Sequence, residues 1–127
     1  MILTILPQIL SVCRLEPTAV VPAWAQEGDF WSVTRTAEEL SILCSCGHVP
    51  PEIQAEANWR AFKVEGPLDF TLVGILANLS GVLARAGVSL FALSTFDTDY
   101  LLVRAEKLMD AAVALHSAGH IVRGEEN

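Results

Sequence analysis

Between residues 61 and 123 the hydrophobic period switches in a set succession, which restricts the chain to few folds. "AFKVEG" (61–66) is a short strand-forming run, stopped by Gly66-Pro67, a dipeptide typical of turns. In "DFTLVGILANLSGVLARAG" the residues Leu72, Ile75, Leu76, Leu79, Val82 and Leu83 recur at helical spacing. Asp69 stands where a cap would start that helix, and Gly87 where a stop would end it. "VSLFALST", the turn-like "FDTD" and "YLLVRA" read as two strands coupled in a hairpin. Glu106 to Ser117, with Leu108, Ala111, Ala112 and Leu115 on one side, predicts a second helix, and "HIVRG" a last short strand. The order is strand, helix, strand, strand, helix, strand: the split βαβ arrangement, a sheet with both helices on one face.

The first half echoes this pattern faintly. An offset of 60 residues lays "FWSVTRTAEELSILC" over "FALSTFDTDYLLV", with Phe30 on Leu90, Val33 on Leu93, Thr34 on Ser94, Glu39 on Asp99 and Ile42 on Leu102. "SVCRLEP" (11–17) resembles "FKVEGP" (62–67), but the following "TAVVPAWAQEGD" is too short and too broken by proline for an equivalent long helix. "MILTILPQIL" reads as a buried strand divided at Pro7, without the basic leader and cleavage site of a signal peptide. The Pro-Pro stretch "GHVPPEIQAE" separates the halves, with the boundary expected within residues 49–57.

Composition narrows the function classes. Hydrophobic residues are 52% of the chain and charged ones 18%, enough apolar matter for a core. The net charge is −7 and the eight basic residues are scattered, which argues against nucleic acid and anionic membrane surfaces as partners. No apolar stretch approaches the roughly 20 residues that cross a bilayer, so a cytoplasmic protein is expected. Three cysteines, Cys13, Cys44 and Cys46, are an odd number, and no disulfide framework is expected.

The segment "KVEGPLDFTLVGILANLSGVLARAGVSLFALSTFDTDYLLV" resembles an ACT domain. It is similar in particular to small bacterial proteins of two ACT-like units, a subgroup related to the cytosolic arginine sensor that acts upstream of the TOR kinase. The resemblance covers residues 59–122 and extends at lower specificity through "SVCRLEP" and "FWSVTRT" in the first half. It implies an α+β fold of tandem ferredoxin-like units: a degenerate unit over residues 1–57, an ACT domain over 58–123 and a tail over 124–127. It also implies a regulatory sensor that binds a free amino acid where units or subunits meet, as a possible homodimer with a further protein partner, with no catalysis and no cofactor. The matching ligand segments are the turn containing Gly66, Leu68, Asp69 and Phe70, and "STFDTD" with Ser94, Thr95, Asp97 and Asp99.

The chemistry of those residues fits an amino acid. Its carboxylate needs backbone amides, expected at Phe70, Thr71 and Leu72 at a helix start beside Gly66. Its ammonium, or a basic side chain, needs an acid, and Asp97 and Asp99 supply two. Each residue also has a plainer role. "FDTD" is a good hairpin turn without any ligand, Asp69 a good helix cap, and Asp99 a carboxylate that needs a partner if buried. "CSCGH" (44–48) lacks the fourth ligand and the spacing of a structural zinc site, and His116 and His120 flank a helix end with no nucleophile suggested nearby. A structural or interaction module that dimerises through its sheets is the alternative to a sensor.

Overall fold

The computed structural model describes residues 1–66 and 73–124. The chain divides into two compact units: a helix-bearing unit of Met1–Pro7 with Arg60–Asn127, and an inserted unit of Gln8–Trp59.

In the helix-bearing unit the strands are β1 (Ile2–Ile5), the second half of β5 (Gln54–Val64), β6 (Leu90–Ser94), β7 (Asp99–Arg104) and β8 (Ile121–Arg123). They lie in the order β8-β1-β5-β7-β6. The helices are α1 (Ile75–Arg85) and α2 (Leu108–Ser117), the latter entered through a 3-10 turn at Ala105–Lys107. Both present the stripes that the sequence spacing predicts: Leu79, Val82 and Leu83 from α1, and Leu108, Ala111, Ala112 and Leu115 from α2. These meet Leu3, Ile5, Phe62, Val64, Leu101 and Val103 in one core on one face of the sheet. This is the ferredoxin-like α+β fold, with one addition. β1 lies between β5 and β8, antiparallel to the former with Leu3 opposite Val64, and parallel to the latter with Ile2 opposite Ile121.

The inserted unit contains β2 (Leu10–Leu15), β3 (Ser32–Arg35), β4 (Leu40–Ser45) and the first half of β5, in the order β3-β4-β2-β5. With β1 set aside and the other strands of each unit numbered in sequence, both follow the same spatial order: fourth, first, third, second. Where the helix-bearing unit has helices, this one has 3-10 turns at Ala23–Gln26 and Cys46–His48. Its core is small, with Cys13, Ala25, Leu40, Ile42 and Cys44 packed against Leu15, Val21, Trp24 and Val33. Arg35 fastens the Pro-rich segment over that core by donating to the carbonyls of Pro17 and Ala19, the latter at 2.7 Å.

Four differences from the sequence reading have local causes. β1 forms as expected but pairs with strands of the other half, because a short apolar run carries no information about its partner. β5 begins at Gln54, inside the stretch expected to separate the halves, because the exposed "QAEAN" has no buried face to give it a period. Within it three residues, up to Trp59, oppose two of β2, a bulge in which Asn58 has a left-handed φ of 66°. α1 begins at Ile75, behind Gly74, whose φ of 83° does not belong to a helix, and Asp69, the expected cap, lies outside the described residues. The repeat, finally, is offset by 59 residues, not 60. The hairpin pair Arg35–Leu40 corresponds to Ser94–Asp99, 94 minus 35, and the turn bond from Thr36 N–H to the Glu39 carbonyl (2.9 Å) to that from Thr95 to Thr98 (2.8 Å). At 59 the core residue Ile42 falls on the core residue Leu101, whereas a slip of one would turn it to the opposite face.

Candidate functional site

The strand order decides which loops meet. β5 and β7 are neighbours, so the segment that follows β5 comes beside the turn that precedes β7. Thr98, 4% exposed, ties them by donating its hydroxyl to the carbonyl of Val64. Next to that bond Lys63, Gly66, Asp97 and Thr98 line a hollow of about 200 Å³.

Each wall residue has a local reason for its position. Along β5 the pleat sends Phe62 and Val64 into the helix-covered core, so Lys63 projects from the opposite face. Its ammonium lies 3.8 Å from a Glu65 carboxylate oxygen, while the other oxygen of Glu65 accepts a 2.6 Å bond from the Thr4 hydroxyl. The hairpin turn is held from within, by Thr95 N–H to the Thr98 carbonyl at 2.8 Å and Thr98 N–H to the Thr95 hydroxyl at 3.3 Å. That leaves Asp97 exposed at the rim. A cation and an anion thus share one small concavity beside a glycine that lets a ligand approach the backbone.

Of the residues singled out from sequence, Gly66 and Asp97 come together in this hollow. Thr95 belongs to the turn that shapes it. Asp99 is engaged elsewhere: it opens β7 opposite Ser94, whose hydroxyl donates to its carboxylate at 2.6 Å, and neither residue lines the hollow. Leu68, Asp69, Phe70 and Thr71 lie outside the described residues. The amides expected at Phe70, Thr71 and Leu72 likewise fall outside the described residues, and the described helix α1 starts at Ile75.

Sequence reasoning missed Lys63 and Thr98. Lys63 was findable, being the polar residue between two core positions of a strand just before a candidate turn. Thr98 was hidden between two acids that drew attention from it. Among the other polar side chains, His120 Nε2 meets Asn78 Oδ1 at 3.1 Å, and His48 Nε2 lies 3.8 Å from a Glu27 carboxylate oxygen. No group of three His, Cys, Asp or Glu among the described residues is placed to hold a metal ion. No described helix is long and apolar enough to cross a membrane.

Comparison with known proteins agrees with this architecture. A crystal structure of an Agobacterium tumefaciens protein shares 39% sequence identity, with a TM-score of 0.92, and the match covers 98% of this chain and 92% of that one. A Vibrio cholerae protein of unknown function, described as a possible transport protein, is 17% identical with a TM-score of 0.74 over 91% of this chain and 88% of that one. Clostridium acetobutylicum aspartate kinase, described as an allosteric enzyme, is 11% identical with a TM-score of 0.64 over 89% of this chain and 35% of its own. The last two likenesses are of fold. The sequence has no match among curated proteins. A family model described as an N-terminal domain matches residues 9–52, and the ACT domain model matches residues 54–117. The chain therefore belongs to the ACT domain family.

Proposed function

We propose that this protein binds a free amino acid in the hollow between the end of β5 and the β6–β7 turn, and that the bound state is read by a protein partner. The observation that carries this is that Lys63 and Asp97 line one concavity. A zwitterion has one carboxylate and one ammonium, and each finds an opposite charge there. Gly66 leaves the backbone open for a further hydrogen bond.

Size bears on how the site works. A hollow of about 200 Å³ is smaller than the roughly 300 Å³ at which small-molecule pockets usually begin. The ligand would keep one side uncovered on the isolated unit, and a second copy of the chain closing over it would couple occupancy to assembly. Such coupling is what a sensor needs, since a ligand shifts an equilibrium only by its differential affinity for two states. No reaction is proposed.

Thermal unfolding against a panel of free amino acids at millimolar concentration tests the proposal. A ligand at ~100 times its dissociation constant adds about 2.7 kcal/mol, several degrees for a small domain. One amino acid, or one chemical type, should raise the transition, and Lys63→Ala or Asp97→Asn should abolish the rise. A flat panel would favour an interaction module instead, for which Met109 and Val113, both 57% exposed on α2, supply an apolar face.

A further inference from the structure

The inserted unit carries a second hollow, of about 380 Å³, and its place in the repeat is informative. It lies on the sheet face turned away from that unit's core. Cys13, Leu40, Ile42 and Cys44 point into the core, so the alternate residues Val12, Arg14 and Ser41 point the other way. The strand register sets Arg14 between Ser41 on one side and Gln54 on the other, and Val12 opposite Glu56. Glu39, at the hairpin turn before β4, completes the rim.

The two hollows share a cation, an acid and a hairpin turn, with Glu39 standing one position further along its turn than Asp97 does. Arg14 lies on β2 next to the core residue Cys13, as Lys63 lies on β5 next to Phe62. Each cation is held by the glutamate two residues on: Arg14 Nη1 lies 3.7 Å from Glu16, and Lys63 Nζ 3.8 Å from Glu65. Each hollow is also bounded by a hairpin turn, that between β3 and β4 with Glu39 in one case, and that between β6 and β7 with Asp97 and Thr98 in the other. The Glu39 carboxylate has no partner among the described residues, and Arg14 spends one N–H on the Glu38 carbonyl at 2.9 Å while keeping others of its five donors. At about 380 Å³ this hollow also falls within the usual range for a small ligand.

From this correspondence we infer that the inserted unit has its own site for a small zwitterion of the free amino acid class. Arg14 takes the carboxylate, Glu39 takes the ammonium, and Ser41 and Gln54 provide neutral hydrogen bonds. The inference rests on the same chemistry as the proposed function but on different residues, so the two can fail separately.

The test is a titration of the ¹⁵N-labelled full chain with each of the twenty free L-amino acids, following the amide resonances of Val12, Ser41 and Ala55. At least one amino acid should move them saturably. Arg14→Ala and the shape-conserving Glu39→Gln should each weaken that response at least ~10-fold, the scale of one lost charged contact. Lys63→Ala and Asp97→Asn should leave it in place. The inference is overturned if no amino acid moves these resonances, if the response survives both Arg14→Ala and Glu39→Gln, or if saturable shifts appear only around Gly66 and Asp97.

Discussion

Two acids two residues apart end up in different roles, and the difference is one of pleat and turn. Asp97 is the free corner of the hairpin and faces the hollow, whereas Asp99 is the first residue of β7 and is satisfied by Ser94. Sequence shows that both carboxylates are available but not which is already bonded, since that depends on the strand register. The cysteines are a clearer case, because burial is the largest influence on the two that are shifted. Burial, with Cys44 adjacent, pushes the Cys13 thiol up to about 12, and burial raises Cys44 as well. Cys46 is only half-buried, beside the Ser11 hydroxyl at 3.3 Å. A thiol reagent near neutral pH should therefore modify Cys46 first and reach Cys13 and Cys44 only on unfolding. The folded-state value of Cys13 lies above its ordinary value of 9.0, so the folded protein holds this proton more tightly than the unfolded one. That contribution to stability is whole below pH ~9 and is lost as pH rises toward about 12. Urea midpoints should fall over that interval, and less steeply in Cys13→Ala.

At the scale of elements, the helices and the β6–β7 hairpin were legible because each has a buried stripe whose period survives in the sequence. β5 was legible only over its buried half, and the true start of α1 was not, because a run such as Leu72, Ile75 and Leu76 keeps helical spacing across a glycine that breaks the helix. Gly74 and Gly124 separate two reasons for glycine. Gly74 has φ 83° with nothing within 4 Å of a would-be Cβ, so alanine there costs only the left-handed backbone, about 1–2 kcal/mol. Gly124 has φ 99°, and a Cβ would stand 2.7 Å from the Ile5 carbonyl oxygen. Gly124→Ala should therefore cost the same backbone strain plus displacement of β1, and its urea midpoint should fall below that of Gly74→Ala. Equal midpoints would show that the close approach to β1 does not contribute.

At the scale of the whole chain, the faint internal repeat proved real in strand order and turn geometry, although its offset by one residue could be settled only by seeing which side chains are buried. The unexpected feature is β1. Leu3 and Ile5 belong to the core of the helix-bearing unit, and truncating even one buried leucine to alanine commonly costs 2–5 kcal/mol against a total stability of about 5–15. Deleting residues 1–7 removes both and leaves β5 and β8 without their shared neighbour. Both described α-helices lie in that unit, so helical circular dichroism reports on it alone, and the deletion should abolish the cooperative helical melt. A retained sharp transition would mean that the strand is dispensable. The position of β1 also bears on how the protein emerges from a ribosome. Everything the inserted unit needs has been synthesised once Trp59 is out, but Ile2 must wait for Ile121 before its sheet can close. The apolar strand β1 meets β5 only once Val64 has been made, and its other edge stays open until β8 follows, so it is there that a chaperone has most to protect.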